Sequence, residues 1–323
     1  MKILVTGGAG YIGSITVKAL LSQGYEVVVF DNLSQGHKDV VQCPFVNGDL
    51  LNMQDLREGL ANQKFDGVIH FAASALAGES MKEPYHYFQN NIMGGLNAVE
   101  YMKETGIPSI IFSSTCAIYG HPDQVPVTED ESKKPESVYG ESKLAFEKIL
   151  HWYDEVFGIK HINLRYFNAS GASLDGTMGE MHDPETHIIP VAIKKMISGE
   201  TFSLFGTDYP TPDGTCIRDY IHVEDLAVAH IQALEYLSKT GKSNYFNLGT
   251  GKGYSNREVL EILKKVSGRD LQIKEEQKRP GDPPIIYADN TKAKRELGFD
   301  PKYSDLETII KTAWEWHKKQ FKV

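Results

Sequence analysis

The apolar run Ile3-Leu4-Val5-Thr6 passes directly into Gly7-Gly8-Ala9-Gly10-Tyr11-Ile12-Gly13, and a helical pattern follows. Three glycines at spacing three, between a strand and a helix, constrain the fold more than any other feature of the chain. Glycine lacks a Cβ, so the turn can tighten and its backbone can approach a pyrophosphate. The N–H groups at the helix start then face the anion. The next apolar run, Glu26-Val27-Val28-Val29-Phe30, ends in Asp31. An acid at the tip of a second strand can accept both hydroxyls of an adenosine ribose and repels a 2′-phosphate, so the pattern predicts NAD and not NADP.

A chain of 323 residues implies one large domain or two unequal ones. Its 41% hydrophobic and 24% charged content is that of a globular protein, and its longest apolar runs are only strand-length. The N-terminus enters a strand at once, with no basic flank or cleavage site, so no signal peptide is expected. Cys43, Cys116 and Cys216 are widely spaced, support no disulfide framework and suit a reducing cytoplasm. His182 and His187 lie five apart in a Gly/Pro/acid-rich loop, and no metal site is expected there. The formal charge of −9 and the shortness of every lysine run argue against nucleic acid as a partner. Any anionic ligand must be held by a local cluster.

Strands are predicted at 2–6, 26–31, 45–49, 67–72, 109–115 and 161–167, and helices at 12–23, 52–62, 86–105 and 140–157. This alternation predicts an α/β fold, a Rossmann-type doubly wound parallel sheet covered on both faces. Near Gly171 the pattern changes. A loop at 171–187 precedes a helix near 188–198, an extended segment at 202–205 and a Pro/Gly/Asp loop at 206–215. The run at 245–249 is a candidate to return to the main sheet, and the tail 289–320 reads as helical. The predicted division is a nucleotide-binding domain over 1–170, receiving part of 216–250, and a smaller, discontinuous α/β domain over 171–323.

Tyr139-Gly140-Glu141-Ser142-Lys143 opens a helix behind the fifth strand. Residues i and i+4 share a helix face, so the phenol and the ammonium point the same way. A phenol with a pKa near 10 is a poor base at neutral pH; a neighbouring ammonium and a positive nicotinamide ring favour its phenolate. Tyr139 is thereby a candidate acid–base group for a hydroxyl undergoing oxidation. Ser113-Ser114-Thr115 ends a strand, and ligands sit at the carboxyl ends of such strands, so Thr115 can meet the same hydroxyl. Only seven arginines occur, and Arg218 and Arg279 sit in polar loop contexts. A guanidinium fork matches diphosphate oxygens bidentately, as an ammonium cannot. Asn168, Asp282 and Asp49 each read equally well as turn or cap residues.

Taken in order, Gly7 to Gly13, Phe30-Asp31-Asn32-Leu33, His70-Phe71-Ala72-Ala73, Ser113-Ser114-Thr115, Tyr139…Lys143, Arg165-Tyr166-Phe167-Asn168, Asp213-Gly214-Thr215-Cys216-Ile217-Arg218-Asp219-Tyr220-Ile221-His222-Val223 and Arg279-Pro280-Gly281-Asp282 resemble the UDP-glucose 4-epimerases of the extended short-chain dehydrogenase/reductase superfamily. The resemblance spans essentially the whole chain, and its last two segments are the most specific. It implies reversible inversion at C4 of UDP-glucose and UDP-galactose with tightly bound NAD, a UDP-sugar-binding second domain, and a homodimer. By this resemblance Tyr11 and Ile12 present backbone to the pyrophosphate and Asp31, with Asn32, holds the adenosine ribose. Asp49 and Leu50 face adenine; Phe71, Ala72 and Ala73 line the cofactor; Asn90 binds near its phosphates; Lys143 reaches the nicotinamide ribose; Phe167 lies near the nicotinamide. Asn168, His187, Ile188, Ser203, Phe205, Arg218, Arg279, Asp282 and Ile286 form the implied sugar-nucleotide side, with Thr115 and Tyr139 at the reacting carbon. Ala75 and His187 stand where some bacterial relatives carry lysine and asparagine.

Two other readings compete. A nucleotide-sugar 4,6-dehydratase shares the glycine loop and the Tyr/Lys pair but carries an Asp-Glu after the Thr115 position; Cys116 and Ala117 stand there. A cofactor-sensing regulator on the same fold generally lacks the Tyr/Lys pair, which this chain keeps. An epimerase acting on UDP-N-acetylhexosamines is the nearest variant of the favoured reading.

Overall fold

The computed structural model describes residues 1–279 and 281–322. Strands β1 (Lys2–Thr6), β2 (Glu26–Asp31), β3 (Phe45–Asn47), β4 (Gly67–His70), β5 (Ser109–Thr115) and β6 (Lys160–Tyr166) pair in parallel, and Asn244–Leu248 adds a seventh strand beside β6. The spatial order runs Asn244–Leu248, β6, β5, β4, β1, β2, β3. The order reverses between β4 and β1, and an open sheet of this kind presents a crevice there, at the carboxyl ends of its strands.

Both faces of the sheet are covered. Ile3, Val5, Val27, Val29, Ile69 and Ile111 point into one apolar layer, and Leu4, Val28, Phe30, Val68, Ile110 and Phe112 into the other. This alternation is the period-two consequence of the pleat, and every residue is apolar because neither face meets water. Helix Tyr11–Ser22 packs on the first face, beside Val223–Thr240; Gly94–Thr105 and Val138–Phe157 pack on the second.

Small sheets beyond the main one bring distant segments together. Asn168–Ser170 pairs in parallel with Tyr220–His222. Ile217–Arg218 pairs antiparallel to Tyr254–Ser255 and parallel to Ile285–Ile286. Phe202–Phe205 pairs with Ile273–Glu276. Helices Ile188–Ser198, Asn256–Ser267 and Leu306–Gln320 close a separate core around Ile193, Leu204, Leu260, Ile310 and Trp314.

Some elements differ from expectation. The helix expected at 86–105 is two helices, Pro84–Phe88 and Gly94–Thr105, joined by a π-type turn over Gln89–Met93. The helical tail is broken at Gly298, whose φ of +70° ends Thr291–Leu297 before Leu306 starts the next helix. Val223–Thr240 and Asn256–Ser267 lie outside the expected helices. The first is capped by an imidazole, His222 Nδ1 accepting from Glu224 N at 3.1 Å, and is buried on most sides, which blurs its amphipathic period. The second begins at a capping box, Ser255 with Glu258, a signal readable in the sequence.

Candidate active site

The glycine loop occupies the mouth of the crevice. Gly7 has φ +73°, and a Cβ there would lie 2.5 Å from Ala72 N; one on Gly13 would lie 2.2 Å from Gly7 O. Side chains at either position would push β1 away from β4 or open the turn. Gly10 is the N-cap of helix Tyr11–Ser22 and offers no side-chain cap, so the first N–H groups of the helix remain directed outward, as an incoming pyrophosphate requires. The Asp31 carboxylate, 8% exposed, accepts from Ala9 N at 3.0 Å and Leu33 N at 2.8 Å. Burial raises its pKa while these two bonds lower it. The cradle thus fits a dinucleotide: bare backbone where phosphates pass, and a fixed acid where a ribose ends.

The structure distributes the other cofactor candidates around this crevice. Phe71 and Ala72 follow β4 and both donate backbone N–H to Thr6 O. Ala73 is half-buried beside them. Asn32 is exposed, its Oδ1 accepting from Ser34 N. Asp49 turns its carboxylate onto Leu51 N at 2.9 Å, and Leu50 is buried against Gly94. Ile12 packs on the apolar layer, and the Tyr11 hydroxyl donates to Gly171 O at 2.7 Å. Of the adjacent pair, Asn91 is consumed structurally: it accepts from Ser74 N and donates to Ser74 O and Ser142 Oγ. Asn90 uses only its amide nitrogen among the described residues.

At the carboxyl end of β5, Thr115 lies near enough to Tyr139 to oppose the effect of burial on its phenol. Helix Val138–Phe157 is capped by Ser137 Oγ, which accepts from Gly140 N at 3.1 Å, and Tyr139 N donates to Ser80 Oγ at 3.1 Å. Lys143 lies one turn on, 3% exposed, donating to Ser113 O at 2.8 Å. Its Nζ stands 5.9 Å from the centre of the Tyr139 ring. Burial pushes the Tyr139 phenol up to about 12, with neighbouring Thr115 opposing it, and pulls the Lys143 ammonium down to about 7. A positive charge brought into this site would oppose the first shift.

Beyond Tyr139 the small sheets deliver the sugar-nucleotide candidates. Asn168 and Tyr220 are register partners, and Asn168 Nδ2 donates to Asp219 O at 2.9 Å. Arg218 and Ile286 are register partners. The Arg218 guanidinium donates to Pro283 O at 2.7 Å and lies 3.6 Å from Asp282 Oδ1. It is close enough to Cys116 to oppose the burial that pushes that thiol up to about 12. Ile286 is buried in a cluster with Phe167, Tyr119 and Leu144. Arg279 stacks over Phe205, 4.3 Å from guanidinium carbon to ring centre, and Ser203 shares the Phe205 strand. His187 holds the N-cap position of the helix that Ile188 opens without a side-chain cap bond, and its Nδ1 sits against Glu180 and Glu185.

Residues the sequence reading passed over support this arrangement. Glu147, one turn beyond Lys143, pairs with Arg165 and accepts from Ser114 Oγ at 2.6 Å. Asp219 is fully buried and accepts from Thr250 N, Gly251 N and Ala288 N, joining three loops. The i+4 spacing from Lys143 marked Glu147; nothing local marked Asp219.

The model of the NAD dependent epimerase/dehydratase family matches residues 3–249. A UDP-glucose 4-epimerase of Lacticaseibacillus casei is 48% identical over 321 residues, covering 98% of this chain and 97% of that one. The solved UDP-glucose 4-epimerase from Brucella ovis in complex with NAD superposes with a TM-score of 0.94 at 47% identity, covering 97% of each chain. The UDP-Glc/GlcNAc 4-epimerase from Campylobacter jejuni superposes with a TM-score of 0.86 at 42% identity, covering 98% of this chain and 99% of that one. Among the described residues no helix is long and apolar enough to cross a membrane.

Proposed function

The chain belongs to the NAD dependent epimerase/dehydratase family, and on that premise we propose that it is a UDP-glucose 4-epimerase, interconverting UDP-glucose and UDP-galactose by inversion at C4. The observation that carries the reading is that Tyr139 and Lys143, on one turn of their helix, gather at the end of β5, with Thr115 near the phenol.

Gly7 to Gly13, Asp31 and Lys143 would hold NAD, which when bound would supply the hydride chemistry at C4. The protein's own share is proton transfer and grip. Tyr139 takes the proton of the 4-hydroxyl, leaving a 4-keto sugar, and gives it back after the ketone has turned over about its diphosphate bonds. Thr115 holds the oxygen in line with the phenol. The Lys143 charge favours the phenolate once the site is filled. Arg218, Arg279 and Asp282 keep the UDP end fixed while the sugar turns. In this reading residues 1–170, joined by part of 216–250, form the NAD-binding part, and the rest of 171–323 forms the discontinuous UDP-sugar part. Cys116 and Ala117 supply no acid and base for loss of water, which argues against a dehydratase.

We assign the protein to the cytoplasm, where its three free cysteines remain reduced. Two copies pair through helices near 86–105 and 140–157. Support comes from apolar side chains left exposed there: Met93 at 49%, Trp152 at 64%, Val156 at 63% and Phe157 at 51%. Sedimentation as a monomer at micromolar concentration would count against the pairing.

The direct test is incubation with UDP-galactose and assay of UDP-glucose, with no NAD added. Product formation, and NAD released on denaturing the protein, are expected. Failure to form UDP-glucose from protein that does release NAD would overturn the substrate assignment.

A further inference from the structure

A second cluster of functional groups lies outside the proton-transfer site. Glu180, His182, Glu185 and His187 each offer one ligand atom, and these four atoms lie within 4.8 Å of one another. His187 Nδ1 is 2.7 Å from Glu180 Oε1 and 3.2 Å from Glu185 Oε1; His182 Nδ1 is 3.1 Å from Glu180 Oε1. In the sequence His182 and His187 stand in an irregular loop, where no metal site is expected. The loop folds so that the pattern Glu-x-His-x-x-Glu-x-His converges.

Hydrogen bonding leaves this cluster incomplete. His182 Nδ1 and Glu185 Oε2 are buried and make no well-aligned hydrogen bond, His182 Nδ1 having only its ion-pair approach to Glu180 Oε1. The Glu185 side chain is only 3% exposed, and the two orphan atoms face each other at 3.7 Å. That distance is too long for a hydrogen bond. It is close to the separation, about 3.3–3.5 Å, of two ligands bound tetrahedrally to one zinc ion at 2.0–2.1 Å. An unpaired buried carboxylate oxygen is costly. One cation between these atoms would satisfy both.

We propose that Glu180, His182, Glu185 and His187 bind one Zn2+ ion, through two imidazole nitrogens and two carboxylate oxygens. Four mixed nitrogen and oxygen donors suit zinc; calcium and magnesium require more ligands, all oxygen. With four protein ligands the site is closed, so its role is structural and separate from the proton transfer at Tyr139. Its position gives that role a direction. The Tyr11 ring meets the His182 ring edge-on at 6.4 Å, and the Tyr11 hydroxyl holds Gly171 O. The ion would pin the segment 171–187 against the start of helix Tyr11–Ser22 and fix the first turn of helix Ile188–Ser198.

The test uses the purified protein with its nucleotide, stripped with chelator, reloaded with zinc chloride and desalted. Elemental analysis should find about one zinc per chain, and zinc should raise Tm by roughly 4 °C or more. His182→Gln and Glu185→Gln should each lose the bound zinc and the Tm rise. Zinc below about 0.1 per chain in the unsubstituted protein would overturn the proposal. So would full retention in both variants. Cobalt substitution of the unsubstituted protein needs no variant: visible d–d bands without a thiolate charge-transfer band are expected, and a thiolate band overturns the assignment.

Discussion

Arg165 grips Glu147 with two parallel bonds, Nε to Oε1 at 3.0 Å and Nη2 to Oε2 at 2.7 Å, and the two side chains are 4% and 6% exposed. The pair lies behind Lys143, one turn along the same helix, and Arg165 also donates to the Tyr119 hydroxyl at 3.1 Å. The guanidinium thus balances the buried Glu147 carboxylate, which also opposes the burial that lowers the Lys143 pKa. Replacing Arg165 with Met would strand a buried carboxylate. We expect a loss of about 3–5 kcal/mol in urea unfolding, partly recovered when Glu147→Leu is added. An unchanged denaturation midpoint in Arg165→Met would show that the pair is not needed.

Lys143 makes folding pH-dependent. Burial holds its folded pKa near 7, below its value of 10.5 in an unfolded chain. Between these values the unfolded state binds the extra proton, so this group's contribution to stability rises with pH. In nucleotide-free protein, the unsubstituted chain should gain more than about 1 kcal/mol on Lys143→Met between pH 7 and pH 10. Parallel stability curves for the two proteins would contradict the depressed pKa.

Tyr139→Phe removes one oxygen and retains the ring. Turnover should fall by roughly 10²–10⁴-fold, while NAD content and UDP affinity stay close to those of the unsubstituted protein. Thr115→Ala combined with it should be nearly inactive. Near-normal kcat in Tyr139→Phe would remove it from the acid–base role.

Arg218 is held to Pro283 O and faces Asp282, so its guanidinium is oriented before any ligand arrives. Arg218→Ala should weaken UDP by on the order of ten- to a hundredfold, with a parallel rise in KM for the UDP-sugar, because one charge-assisted clamp is lost. Calorimetric titration with UDP alone reads this directly, and equal affinity in both proteins would refute the clamp. Arg279, stacked on Phe205, should show the same direction.

Ile286 is buried in the apolar cluster with Phe167 and is the register partner of Arg218. A β-branched side chain is stiff at χ1 and offers an acetamido group no hydrogen bond. We expect a clear preference for UDP-glucose and UDP-galactose over their N-acetylated counterparts, and a gain of N-acetyl activity in Ile286→Ser. Comparable kcat/KM on UDP-galactose and UDP-N-acetylgalactosamine would disprove it. The similarity to an enzyme named for both sugars, at 42% identity, makes the local pocket the deciding feature.

The chain's order alone specified whatever depends on neighbours within a few residues. β1 and β2 appear at the predicted residues 2–6 and 26–31, because short continuous apolar runs ending in glycine or an acid have few alternatives. The Tyr139/Lys143 pair was legible because a helix repeats every 3.6 residues. The NAD loop was legible because backbone geometry admits only glycine at Gly7 and Gly13. Contacts across the chain were not legible. Arg165 reaches Glu147 from a strand, Asp219 gathers the loops of Thr250 and Ala288, and Asn91, not its neighbour Asn90, spends its amide on Ser74 and Ser142. Glu180, His182, Glu185 and His187 look like scattered loop polarity until the backbone turns them inward. Such groups pair at a cost in chain entropy that only the rest of the packed core offsets, so their partners are set by the tertiary fold and not by spacing in the sequence.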